Sequence, residues 1–219
     1  MKLYHWRASP HACKVLAVAK YLDLFEKIEE VPMHPWEVDS PLTGISPIGK
    51  VPVLIKEDGE PVFDSDVICL YLAQRAKAES GADKGLYPEA DALFTALRQQ
   101  VVASSIKESA VLCIVEEHAR PRTLQSHDWI DRHRARVASC LLFLEEHAQE
   151  LDAHAPTIGD FSVVMALAYL NYRFPSYVWH PEHPKLTQWY EQMLRHLFVA
   201  ESLPMEVHTF PVAMVKLEK

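Results

Sequence analysis

The sequence predicts an α/β unit followed by an all-helical unit, and three observations carry that reading. Up to about residue 78, short strand-like runs alternate with helical ones. A polar, glycine-containing stretch, Ala78 to Gly85 (AESGADKG), then interrupts the pattern as a linker would. Beyond it the apolar residues repeat with helical period only. The units are drawn at residues 1–78 and 86–219.

In the first unit, Lys2 to Trp6 reads as a short strand, and Ser9-Pro10 opens a helix. Serine is a favoured N-cap, and proline suits the first helical position because its missing N–H has no partner there. Ala12, Val15, Leu16, Ala19 and Leu22 follow as one buried stripe. Glu26 to Val31 is a second strand, and Pro32 to Gly49 a loop rich in Pro, Asp, Ser and Gly. Val51 to Ile55 and Pro61 to Phe63 flank Asp58-Gly59, a hairpin signal. A further helix begins at Asp64 or Ser65 and runs through Val67, Ile68, Tyr71 and Leu72. The order β-α-β, loop, β-β-α is that of a thioredoxin-like domain.

The second unit reads as about five helices. Leu93, Leu97, Val101 and Ser104 begin a long one that continues through Ile106 and Leu112 to about Ala119. Trp129 to Leu151 is the next, with Val137, Leu141, Leu144 and Ala148 in register. Thr157 and Asp160 form a capping-box pattern before the apolar run Phe161 to Leu170, which makes Asp160 structural. A proline-rich loop, Pro175 to Pro184, leads into a stripe of Leu186, Trp189, Tyr190, Met193 and Leu197.

The whole chain has 219 residues, of which 49% are hydrophobic, and a net charge of −8. That apolar content can fill a core and is too high for a disordered chain. No apolar run approaches the roughly 18 residues that span a bilayer. The start, MKLYHWRASP, lacks the apolar stretch of a secretory signal, so a cytoplasmic location is expected. Excess acid argues against nucleic acid, whose binding needs Lys and Arg on phosphates. Cys13, Cys69, Cys113 and Cys140 contain no CxxC pair and read as buried small hydrophobes. His180 and His183 lie close in a proline-rich loop without further ligands nearby, so no metal is expected.

Three local features carry the chemistry: Ser9-Pro10 at a helix start, Gly49-Lys50-Val51-Pro52 before a strand, and Asp64-Ser65 opening a helix. Each alone has a plain structural reading as a cap or a strand start. Together, in this order, they resemble the glutathione S-transferase superfamily, and the resemblance covers essentially the whole chain. LYHWRASPHACKV is similar to the first strand, turn and helix of its serine- and cysteine-type classes, including zeta and omega. ISPIGKVPVL resembles the family's cis-proline segment, and VFDSDVICLYL its acid-serine motif, with Asp64 where many members carry Glu or Gln. LYP at 86–88, the capping box and HPKLTQWYEQML resemble the family's helical domain.

The resemblance implies that glutathione is a co-substrate and that Ser9 faces its sulfur, donating its O–H to a thiolate. Tyr4, at the end of the first strand, is the alternative sulfur contact, since other classes use a tyrosine there. Val51-Pro52 would be the cis bond that pairs with the glutathione backbone. Ser65 and its helix end would take the γ-glutamyl carboxylate, and Asp64 the ammonium. Lys50 is a candidate for a glutathione carboxylate, and His34 and Trp36 are further candidates in the loop. Ser9 replaces the cysteine of redox-type relatives, and Cys13 falls outside CxxC spacing.

The helical unit would form the electrophile pocket, with Ser105, Ser109 and Leu112 as possible lining residues. The implied reaction is thiolate attack on an electrophilic small molecule, of the kind that serves detoxification, in a homodimer. Two alternatives stay open, a glutathione-dependent thiol oxidoreductase and a non-catalytic protein-interaction module. One tension remains, because a chain of net charge −8 must collect an anionic tripeptide.

Overall fold

The computed structural model describes residues 1–37 and 40–205. The last part of the predicted helical unit, residues 206–219, lies outside the described residues. Strand β1 (Lys2–His5) feeds helix α1 (Pro10–Tyr21), which crosses over to β2 (Glu29–Pro32), parallel to β1 with Leu3 opposite Glu30. Parallel neighbours need such a crossover, and a helix supplies it. Short helix α2 (Leu42–Ile45) and antiparallel strands β3 (Val53–Ile55) and β4 (Pro61–Val62) follow, giving a four-stranded sheet ordered β2-β1-β3-β4. The hairpin turns at Asp58-Gly59 as predicted. Gly59 adopts φ 88°, and the Asp58 carboxylate accepts from the Glu60 N–H at 3.0 Å.

Helix α3 (Ser65–Ser80) completes the first unit. It runs three residues into the predicted linker and stops at Gly81, whose left-handed φ of 69° ends it. The predicted second strand starts later than expected, because Phe25–Lys27 forms a 3-10 turn.

The second unit contains α4 (Ala90–Ala119), α5 (His127–Glu146), α6 (Ile158–Arg173), α7 (Pro184–Met193) and α8 (Leu197–Ala200), five α-helices among the described residues. Helix α5 begins two residues before the predicted start, where the Ser126 hydroxyl caps it by accepting from Trp129 N at 3.3 Å. It ends at Glu146, and Ala148–Glu150 is a 3-10 turn. Leu197 does not join the α7 stripe. The chain turns at Leu194 to His196, and Leu197 is exposed on its own short helix.

Two predicted faces differ from the observed ones. Helix α1 carries more than a stripe: Cys13, Lys14, Ala17 and Val18 are buried alongside the predicted residues. The reason is its position between α3 and the α6 of the second unit, so one continuous apolar core joins Leu3, Leu16 and Ile68 to Phe161 and Leu167. On α4 the predicted stripe is buried only in part: Ile106 is buried and Leu93, Leu97 and Ser104 are half-buried, but Val101 is 66% exposed. The buried face is Ala96, Gln99, Gln100, Ala103, Ile106, Lys107 and Ala110. Small and polar residues line it because α6 packs close there. A Cβ on Gly159 would meet the Ala96 carbonyl at 2.8 Å. No helix among the described residues is long and apolar enough to cross a membrane.

Candidate functional site

A cleft of about 450 Å³ opens where the two units meet. Its floor comes from the turn after β1 and the start of α1, with Trp6, Ala8, Ser9, Pro10 and His11. Pro35 and Trp36 of the following loop and Lys50 and Val51 form one wall. Glu108, Val111 and Leu112 of α4, with Tyr169 of α6, form the other. Glu108, Val111 and Leu112 are spaced three and four apart, so one face of α4 presents all three. A second cavity of about 360 Å³ lies between α4, α5 and α6, lined by Cys113, Arg134 and Phe174, and holds none of the candidate residues.

Ser9 is the N-cap of α1, with extended backbone, and its hydroxyl accepts from Ala12 N at 3.4 Å. The cap uses an acceptor site, so the hydroxyl proton stays available to the cleft. No acidic residue occupies the first turn of α1, which leaves its positive end uncompensated. The Val51–Pro52 peptide is cis, and Lys50 and Val51 face Ser9 across the same cleft. Tyr4 is not among the lining residues; it packs against the small cluster of Trp6, Ala8, Leu42, Val51 and Val53.

Cys13 is fully buried and donates to the Arg7 carbonyl at 3.3 Å. Burial pushes its thiol up to about 12. Trp36 reaches the cleft wall, whereas His34 lies against Trp6 with ring centroids 4.2 Å apart, its Nδ1 accepting from Trp36 N.

Asp64 and Ser65 lie at the start of α3. The Asp64 carboxylate accepts from Asp66 N at 2.9 Å and is otherwise exposed. Ser65 is buried, and its Oγ donates to Asp66 Oδ1 at 3.3 Å. A hydroxyl has one proton, so His11 Nδ1–H is the donor in the 3.4 Å contact with Ser65 Oγ. Burial first, then the charges of Lys107, Lys14 and Lys50, hold the His11 imidazole well below its usual range and therefore neutral at pH 7. His11 thus links the cleft floor to the start of α3.

Asp66 anchors a buried polar network. It pairs with Lys14 through Oδ1 and accepts from Gln100 Nε2 at 2.9 Å through Oδ2. The charges of Lys14 and Lys107, with the bonds from Lys14 and Ser65, hold its carboxyl below the usual range against the cost of burial. Lys14, Lys50 and Lys107 all lie close enough to act on His11.

Of the three helical-unit residues expected to line a pocket, one reaches the cleft. Leu112 lines the cleft, but Ser109 is buried against His133 Nδ1 at 3.3 Å and Ser105 pairs with Cys140. Both serines face α5 instead, since they sit on the side of α4 turned toward that helix. Sequence reading missed His11, Glu108, Val111 and Tyr169. The i, i+3, i+4 spacing at 108–112 was the available signal. His183 Nδ1–H donates to the Trp179 carbonyl at 2.8 Å, and His180 stacks on Trp179. Among the described residues no group of three or more His, Cys, Asp or Glu is placed to hold a metal ion.

Residues 3–80 match the glutathione S-transferase N-terminal domain, and residues 128–192 the glutathione S-transferase C-terminal domain. The chain is 29% identical over 207 residues to the uncharacterized GST-like protein YibF of Escherichia coli K12, covering 92% of this chain and 96% of YibF. A glutathione transferase family member from Pseudomonas fluorescens Pf-5, solved with bound glutathione, superposes with a TM-score of 0.86 at 28% identity over 94% of this chain and 99% of that one. A glutathione S-transferase from Methylobacillus flagellatus KT, solved with glutathione bound, gives a TM-score of 0.84 at 26% identity over 93% and 99%. With both domain signatures in order on one continuous core, and a helix-start serine opening on the cleft between them, the chain belongs to the glutathione S-transferase superfamily.

Proposed function

We propose that the chain binds glutathione in this cleft and holds its thiol as a thiolate for attack on an electrophilic small molecule. The observation that carries the reading is Ser9, which caps α1 while keeping its hydroxyl on the cleft opposite Lys50 and Val51. The Ser9 O–H donates to the sulfur, and the open end of α1 adds positive potential. A thiol of pKa about 8.5 needs about 1.4 kcal/mol of anion preference per unit of lowering. One charge-assisted hydrogen bond with a helix end can supply about two units. Glutathione bound in the Pseudomonas and Methylobacillus relatives supports the same ligand here.

In this reading the Val51 backbone pairs with the peptide, Lys50 meets a carboxylate, Ser65 and the α3 start take the γ-glutamyl carboxylate, and Asp64 its ammonium. Glu108, Val111, Leu112 and Tyr169 place the electrophile. The sulfur lone pair forms a bond to its carbon as the electrons move onto the leaving group or the conjugated system. The thiol-oxidoreductase alternative gains no support from the cleft, since no cysteine is among the described residues that line it.

A homodimer also fits this reading. Val67 and Leu70 on α3 and Phe94 and Val101 on α4 are exposed apolar side chains on helices joined by the Gln100–Asp66 bond. A monomeric mass at micromolar concentration would remove that part. Free, mostly buried cysteines suit a reducing cytoplasm.

Titration with glutathione tests the main reading. Saturable binding with thiolate absorbance is expected in the wild type. Ser9→Ala should retain binding and lose the absorbance. Failure to bind overturns the proposal, and an unchanged signal in Ser9→Ala removes the serine from the sulfur.

A further inference from the structure

Lys107 is fully buried in the middle of α4, and its Nζ makes no hydrogen bond to any described residue. A buried ammonium without a partner is costly, and such groups are otherwise paired or held neutral. The titratable groups acting around it are Lys14 and His11 on α1, Asp66 and Cys69 on α3, and Glu108 on its own helix. Asp66 does not neutralise it. That carboxylate already holds the Lys14 ammonium, Gln100 Nε2 and the Ser65 hydroxyl. The other orphaned atom on this face of α4, Gln100 Oε1, is a neutral acceptor and carries no countercharge.

Two lysines therefore share one carboxylate at the foot of the α3 start. An anion placed at Ser65 would complete the balance.

We propose that Lys107 is the buried countercharge for the γ-glutamyl carboxylate held at Ser65, so that binding of this anion draws one proton from solvent onto Lys107 Nζ. The inference rests on the glutathione reading above. Lys107 acts through the network and is a positioning residue. Burial, followed by repulsion from Lys14, lowers its pKa to about 7, so above neutral pH much of it is unprotonated without ligand. A carboxylate nearby favours the charged form, and the proton comes from the buffer acid, which is left as its conjugate base. Linkage fixes the sign: affinity is highest below about pH 7 and falls as pH rises.

S-methylglutathione is the probe, because it has no thiol proton to release and so isolates the uptake. Its binding is measured by calorimetry in buffers of different ionisation enthalpy. The wild type should take up about one proton per ligand at pH 8, and its Kd should rise about tenfold per pH unit between pH 7 and 8.5. Lys107→Met replaces the ammonium by an apolar chain of similar length, so the fold is preserved. It should abolish the uptake and flatten the pH profile.

Heats independent of buffer in the wild type, or uptake that survives in Lys107→Met, overturn the inference and leave glutathione binding standing. Uptake that grows only below pH 6.5 assigns the proton to His11 and likewise overturns it. If S-methylglutathione does not bind at all, the glutathione reading falls as well.

Discussion

Two helix starts in this molecule, those of α1 and α6, have the same kind of cap and opposite fates. At α6 the Asp160 carboxylate accepts from Thr157 N at 2.9 Å, Thr157 Oγ1 at 2.8 Å and Asp152 N at 2.8 Å, and is buried. Its donors are used up and its positive end carries an acid; burial still pushes the carboxyl up to about 6. At α1 the Ser9 hydroxyl makes one long bond, the first turn has no acid, and the end opens on a cleft. A closed helix start stabilises the fold. An open one is available to an anion.

The largest expected effect that sharpens this contrast lies just below the open end. Lys107 has its pKa lowered to about 7 in the folded chain against an unfolded value of about 10.4. Between those values the unfolded chain binds the extra proton, so folding stability from this group rises with pH from 7 to 10. Lys107→Met should remove that slope and stabilise the protein near pH 7 by on the order of 3 kcal/mol, read from urea unfolding at several pH values. An unchanged slope would show that the lysine finds a partner in solution.

At the closed end, Asp160→Ala should cost about 2–3 kcal/mol of stability by stranding three donors. A drop in Tm of about 5–10 °C, with glutathione affinity of the folded protein unchanged, is the expected result. Ser9→Ala should do the reverse at the open end. It should lower kcat/KM about 30-fold, about 2 kcal/mol, with Tm nearly constant. A Tm loss as large as that of Asp160→Ala would make Ser9 an ordinary cap. Ser65→Ala should raise the glutathione Kd about tenfold. The smallest effect, a few-fold change in kcat/KM between bulky and small electrophiles with the glutathione Kd constant, is expected for Leu112→Ala.

Features that a few neighbouring residues determine were legible in the sequence. Ser9-Pro10, Asp58-Gly59 and Thr157 with Asp160 do what their local chemistry dictates. The face of α4 was legible only in part: Ile106 is buried as its spacing predicts, but the buried side also carries Ala96, Gln99 and Lys107 while Phe94 and Val101 point out. Apolar periodicity finds a buried face only when burial is mainly apolar. Here close approach to Gly159 and a polar network set it instead. His11 was invisible for a related reason. Its partner Ser65 lies 54 residues away in the chain, and only the sheet order and the packing of α1 on α3 bring them together. Ser105 and Ser109 were assigned by residue type to a cleft from which the turn of α4 directs them away.

The most direct test of the open helix end is the pKa of the bound glutathione thiol, followed by its ultraviolet thiolate absorbance across pH in the saturated complex. The account predicts a value about two units below the roughly 8.5 of a free thiol, returning toward that value in Ser9→Ala. A bound thiol that titrates near 8.5 in the wild type would contradict it.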